Sequence, residues 1–230
     1  MKKINKKAEP ASLTQFKKRS PSAVYDDLPH ELRQDIRKAC TTEQFHLCAY
    51  CCRQLTGSNE DTMNEHVLPQ DLAPDRTLDF NNIIASCKTA GQCDSAHKNQ
   101  RLPLTPLMDE CETEFDFKLS GRVTGLTERA KESIKILNLG DTEENNRKLI
   151  ETRKQLVSTL LYKSGIDPYD PIEDDDILSM VINDLSQPVD NKLQAYAPVV
   201  VNILKSWVST AEPVNRTIAL SEGEVKKLER

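Results

Sequence analysis

Aromatic side chains are scarce, at 5% of the chain, and the mean hydropathy is −0.57. With 37% hydrophobic residues over 230 positions, a thick apolar core is excluded, and a helix-rich body around some other staple is expected. No run of residues approaches the roughly 18 apolar positions of a membrane-crossing helix. The N-terminus is basic but lacks the apolar stretch of a secretory signal. There is no Gly-rich phosphate loop, no G-K-[ST] and no internal repeat, so any ATPase activity has to come from another chain. Lys and Arg are absent from 165–190, where Asp167, Asp170, Glu173, Asp174, Asp175, Asp176, Asp184 and Asp190 fall. That stretch repels a nucleic-acid duplex and suits a protein surface instead. The formal net charge of −5 gives the chain little intrinsic attraction for polyanions.

Cysteine is plentiful by comparison. Seven of them, an odd number, in a chain without a recognisable signal, fit a reducing cytoplasm and metal binding better than disulfides. Four stand in two pairs that frame one compact polar stretch. Cys48 and Cys51 have the C-x2-C spacing that lets one tight turn aim two thiolates at a single ion. Cys87 and Cys93 form a looser C-x5-C pair. Four thiolates complete a closed tetrahedral zinc site, which supplies folding energy rather than chemistry. The competing reading is four separately buried thiols; the pairing around a polar stretch favours zinc. Cys52 is an alternative to Cys51, and His46 a substitute ligand. Cys40 and Cys111 read as structural.

Between the pairs lies another chemistry. Residues 63–67 read as a short strand running to Pro69, and they contain Glu65 and His66. His66 is a candidate general base, since imidazole titrates nearest neutrality. Glu65, and Asp94 just beyond the second pair, are hard oxygen ligands of the kind Mg2+ or Mn2+ prefers. The amide of Asn82 can hold a catalytic loop or fix the His66 tautomer. A solvated surface His is the usual reading of a lone E-H pair; E-H, Asn and C-D in this order inside a four-cysteine frame are more specific.

At these residues the chain resembles the HNH endonucleases. The resemblance implies a small ββα-metal fold, His66 as the water-activating base, Glu65 as a ligand of the catalytic cation and Asn82 as the central Asn. Its third position, usually His or Asn, is held by Asp94, with His97 one helical turn later as the alternative. The C-x5-C spacing is wider than the family's common C-x2-C. The opening M-K-K-I-N-K-K-A-E-P-A-S-L with Phe16, the C-A-Y-C at 48–51 and A-K-E-S-I-K-I-L-N-L at 130–139 are similar to one bacterial subfamily, over residues 1 to about 160. Its members are the HNH subunits of Septu-type antiphage systems and of retron modules. That likeness implies a cytoplasmic bacterial protein with an ABC-type ATPase partner, and with a retron reverse transcriptase and its non-coding RNA/DNA as further candidates.

The fold expected is α+β, a small zinc-stapled ββα-metal core embedded in a mostly helical chain. Residues 1–20 read as a basic tail, with Lys2, Lys3, Lys6, Lys7, Lys17, Lys18 and Arg19 against Glu9 alone; it either contacts phosphates or is solvated. Residues 21–165 form the nuclease domain. It is expected to hold a helix from Pro29 to about Ala39 and a short strand at 45–47. A hairpin at 114–123 follows, then a helix capped by Thr127 and stopped by Gly140, and a helix opened by Asp141 and Glu144 and ended at Gly165. Residues 166–230 form a helical, partner-binding region beyond the turn-rich Asp167–Pro171. In it the apolar helix near Pro198–Ser209, with Trp207, serves either as a docking anchor or as the chain's own core. Function follows as metal-dependent hydrolysis of DNA or of RNA such as tRNA. The alternative is a non-catalytic zinc module that binds nucleic acid or protein.

Overall fold

The computed structural model describes residues 1–142, 144–169 and 174–210, with side chains in the last helix as far as Val208. Expectations that rest on Asp170, Pro171, Glu173 and the last twenty residues lie outside the described residues. Within them the chain is mixed α+β, with seven α-helices and two small antiparallel sheets. No helix among the described residues is long and apolar enough to cross a membrane.

The centre is a two-stranded sheet, β1 (Thr62–His66) against β2 (Ile83–Cys87), in a register that sets Glu65 opposite Ile84 and His66 opposite Ile83. Every residue of β2 is buried, because helix α2 (His30–Glu43) packs on the sheet and the loop after it folds along the β2 edge. Gln44 completes that edge. Its Oε1 accepts from Ala85 N at 2.7 Å, and its Nε2 donates to the Ala85 carbonyl at 2.8 Å and to that of Leu47 at 2.9 Å. Helix α2 runs four residues past the expected end, since Cys40 and Thr41 continue its buried face. The strand expected at 45–47 is instead a reversal. Phe45 and His46 have φ of 53° and 62°, and His46 N reaches back to the Thr41 carbonyl at 2.8 Å, closing the helix end as a left-handed cap does. Only Leu47 bridges, to Gln54.

The basic N-terminal stretch packs into this body. Met1, Ile4 and Leu13 are buried, Ile4 N donates to the Pro106 carbonyl at 2.8 Å, and residues Ala11–Arg19 form helix α1. The Lys6 ammonium sits on the Glu43 carboxylate, donates to the Ile83 carbonyl at 2.7 Å and lies 3.7 Å from the Phe80 ring centroid. Lys2 and Lys3 pair with Glu112 and Asp109, and Lys17 with Glu9. These lysines act within the chain, where a phosphate-binding tail was one expectation. The Glu43 side chain is 1% exposed, so Lys6→Met leaves a buried carboxylate without its cation. Chemical denaturation should show a loss of about 3–5 kcal/mol; a loss below about 1 kcal/mol would assign the fixing of the N-terminus to Met1 and Ile4 alone.

After β2 comes the one-turn helix α3 (Asp94–His97). The expected hairpin is β3 (Phe115–Phe117) with β4 (Val123–Gly125). Gly121 turns it at φ 82° so close to the helix Arg147–Lys163 that a Cβ there would meet the Ile150 carbonyl oxygen at 2.2 Å. Helix α4 (Glu128–Leu137) is capped by Thr127 as expected, and ends at Asn138, a left-handed residue, before Gly140. Helix α5 (Arg147–Lys163) starts later than Asp141 and Glu144 suggested. Asp141 Oδ1 instead accepts from Thr142 N and Asn145 Nδ2 in a turn, and Asn146 caps the helix.

Helices α6 (Asp175–Ser186) and α7 (Ala197–Thr210) pack together, and α7 lies against α5 and β3. Val199, Val200, Ile203 and Leu204 are buried, and Trp207 packs beside this core. The apolar face considered as a docking anchor is therefore taken up by the chain itself. Asn202 extends the β3 edge, accepting from Phe117 N at 3.0 Å and donating to the Phe115 carbonyl at 2.9 Å. Leu193 N and Tyr196 N donate to the carbonyls of Phe45 and Cys52, so hydrogen bonds cross the boundary expected near 165.

Candidate functional site

The two cysteine pairs meet. The turn at 48–51 is closed by Cys52 N donating to the Cys48 carbonyl at 3.1 Å; Cys87 ends β2 and Cys93 caps α3. The Sγ atoms of Cys48, Cys51, Cys87 and Cys93 all lie within 4.8 Å of one another and all four residues are buried. Cys48–Cys93 and Cys51–Cys87 are each 3.9 Å apart. A tetrahedral ion with bonds of about 2.3 Å to sulfur requires S···S edges of about 3.8 Å, so the cluster could hold a metal ion such as zinc. The charges point the same way. Hydrogen bonds from Cys48, Cys51 and Cys93 drive Cys87 strongly toward thiolate, while bonds with Cys48 and Cys87 push Cys51 up and burial pushes Cys93 up. Four contacting sulfurs cannot all ionise without a cation among them.

Three features support the cluster beyond its sulfurs. Gln92 Nε2 approaches Cys51, Cys87 and Cys93 at 3.8, 3.7 and 3.9 Å, and its carbonyl accepts from Asn146 Nδ2 at 3.0 Å. Cys87 N donates to Cys48 Sγ at 3.3 Å. Cys93 is held at φ 53°, ψ −129°, a conformation costing a non-glycine residue about 1–3 kcal/mol and sustained here by its thiol and by Cys93 N bonding the Leu137 carbonyl at 2.9 Å. Arg153 is fully buried, and donates to the carbonyls of Gly121 and Leu139 at 2.8 and 2.7 Å. Cys40, Cys52, Cys111 and His46 lie outside the cluster; the His46 Nδ1 faces the Leu55 carbonyl at 3.3 Å.

One strand away, Glu65 and His66 end β1 and Asp94 opens α3. Glu65 Oε1 accepts from Tyr50 OH at 3.1 Å and from His97 Nδ1 at 2.5 Å, and Asp94 shares a hydrogen bond with Glu65. Burial raises Glu65. Burial, then the neighbouring Glu65, pushes Asp94 up to about 8. Two carboxyl groups this close hold a proton or a cation between them. His66 Nε2 lies 2.9 Å from the Thr77 carbonyl; a carbonyl only accepts, so Nε2 carries the hydrogen and Nδ1 the lone pair. Burial lowers the His66 pKa, which keeps the ring neutral, and the Tyr25 ring stands edge-on at 4.9 Å.

Glu65, His66 and Asp94 line one cleft of about 510 Å3, with Tyr25, Arg33 and Arg37 of the α2 side among its other walls. His97 is buried behind Glu65, outside that lining. Of the two candidates for the third position, Asp94 faces the cleft, and His97 orients Glu65. Asn82 bonds not to His66 but to the loop after β1: Oδ1 accepts from Leu68 N at 2.8 Å and Nδ2 donates to the Leu68 carbonyl at 2.9 Å. It holds the loop; the Thr77 carbonyl sets the tautomer. Sequence reasoning missed Tyr50, Gln92, Thr77 and Arg37. Gln92 precedes Cys93, and Tyr50 lies inside C-A-Y-C, so adjacency to a ligand was a usable signal for those two; nothing local marks Thr77 or Arg37. No family model matches the chain, and no curated protein matches it.

Proposed function

We propose that the chain is a metal-dependent HNH-type endonuclease that hydrolyses phosphodiester bonds. On this reading β1, β2 and α3 are its ββα-metal core, and zinc in the four-cysteine cluster fixes their separation. The observation that carries it is the meeting of Glu65, His66 and Asp94 at one cleft beside the sulfur cluster, from the end of β1 and the start of α3. Zinc binding by itself requires none of these three residues. Glu65 and Asp94 are the residues that would hold Mg2+ or Mn2+; such an ion, when bound, stabilises charge building on the phosphoryl and leaving oxygens. His66 takes a proton from water at Nδ1 while its Nε2–H stays on Thr77. His97 and Tyr50 fix the Glu65 carboxylate, and Asn82 fixes the loop that follows His66.

Asp94→Asn should abolish divalent-cation dependence and activity with zinc content unchanged. His97→Gln should lower activity about 10- to 100-fold, as losing a residue that orients a ligand does. Equal losses from both would place His97 on the cation itself.

We further propose that the nuclease is the effector subunit of a bacterial antiphage complex with an ABC-type ATPase, of the Septu or retron kind. The absence of a phosphate-loop motif, the net charge of −5 and the run of acids over 165–190 support a partner that supplies ATP hydrolysis and a basic surface. With the apolar side of α7 buried, the acidic α6 face is the better docking surface. The test is purification with a candidate ABC-type ATPase partner, then incubation with plasmid, single-stranded DNA and tRNA in Mg2+ or EDTA. Cleavage of at least one substrate only in Mg2+ is expected. Binding without cleavage of any would favour the non-catalytic zinc module.

A further inference from the structure

Arg37 lies on α2, one turn after Arg33, at the wall of the cleft that Glu65, His66 and Asp94 share. The residue is 6% exposed, yet its Nε and Nη1 have no hydrogen-bond partner among the described residues. Other guanidiniums in the chain are served differently. Arg33 Nε and Nη2 donate to the carbonyls of Leu28, Tyr25 and Asp26, and both terminal nitrogens of Arg153 donate to carbonyls, leaving its Nε alone unpartnered. Burying a charged donor without an acceptor is expensive, so such a group calls for an acceptor that arrives from outside. Arg37 is also not held by a carboxylate of α2 or β1. The neighbouring Asn64 turns its amide nitrogen to Tyr25 OH and the Arg33 carbonyl, at 2.9 and 2.7 Å, and leaves Oδ1 unpartnered as well.

We infer that Arg37 is the anion anchor of the cleft, its guanidinium receiving oxygens of a phosphate-ester group. This rests on the nuclease reading only for what carries the phosphate. A cleft that carries the carboxylates of Asp26, Glu65, Asp71 and Asp94 against Arg33 and Lys98 repels an anion unless a further fixed cation offsets them, and a buried guanidinium does so without a metal. Arg37 then sets which phosphate lies beside His66 and the two carboxylates. Free phosphate and a phosphodiester share this chemistry and are separated by experiment.

The full-length, zinc-loaded chain is labelled with 15N, and the Arg37 Nε–H resonance is followed in Mg2+-free buffer. One titration uses inorganic phosphate and a second uses a dinucleoside monophosphate. The resonance should move with at least one probe, and Arg37→Met, which keeps length and loses the donors, should bind it about 10- to 100-fold more weakly. Arg37→Lys should recover part of the loss. Response to the dinucleotide but not to phosphate marks a diester subsite; response to both marks a general phosphate site. A still Arg37 resonance at saturating probe, or Arg37→Met binding as tightly as the unaltered chain, overturns the assignment. Should Arg37→Met fail to fold, the resonance in the unaltered chain and the Lys variant decide. The readout needs no turnover: failure here leaves the His66 test standing, and probe binding in a chain that cleaves nothing would keep the anchor and remove the nuclease.

Discussion

Stripping zinc from the four-cysteine cluster should unfold the centre of the molecule. Structural zinc contributes about 10–16 kcal/mol in small modules, as much as or more than the about 5–15 kcal/mol that holds a typical domain together. The geometry indicates why no substitute is at hand. Cys48 sits in a tight turn, Cys87 ends β2, and Cys93 holds a strained conformation at the start of α3; without an ion only weak thiol hydrogen bonds join them, and nothing apolar takes its place. Purified protein should therefore contain about one zinc per chain, retained in EDTA at neutral pH. Cys87→Ser should lose the metal and the cooperative thermal transition together. A metal-free chain with intact near-UV circular dichroism and an unchanged Tm would remove the assignment of zinc to these residues.

His66→Ala should lower phosphodiester cleavage about 10^2- to 10^4-fold, the range a positioned general base contributes, with zinc content and Tm held. The side chain lies at the end of β1 opposite the Cys87 end of the sheet, and its one side-chain hydrogen bond among the described residues is to the Thr77 carbonyl. Its loss leaves that carbonyl to the adjacent cleft, where water can replace it, so the cost to the fold stays small while the cost to chemistry is large. Gel assays under single-turnover conditions separate this from weakened binding. Activity within about threefold of the unaltered chain would move the base to another residue.

The grouping of the candidate residues was legible because it is dictated by short-range spacing. C-x2-C, E-H and C-D each place their side chains within one turn or one strand end, and the structure brings Cys48, Cys51, Cys87 and Cys93 within one cluster and Glu65, His66 and Asp94 to one cleft. The Thr127 cap and the 115–125 hairpin were legible for the same reason. What escaped depends on distant partners. Phe45 and His46 look strand-like, but the end of α2 forces a left-handed reversal there. Lys6 reads as a solvated tail residue until Glu43, 37 positions away, is seen to meet it. The α7 face reads equally well as core or docking surface, and β3, α5 and α6 decide it for the core. Arg37 carries no motif; only its burial without an acceptor marks it.

The most direct test of a cation shared by Glu65 and Asp94 beside His66 is a Mn2+ titration of the zinc-loaded chain followed by electron paramagnetic resonance. One Mn2+ per chain is expected, bound in the unaltered protein and in His66→Ala, and lost in Glu65→Gln and Asp94→Asn; cleavage of substrate should saturate over the same Mn2+ range. Mn2+ bound equally well without both carboxylates, or full cleavage by the zinc-loaded chain in EDTA, would contradict it.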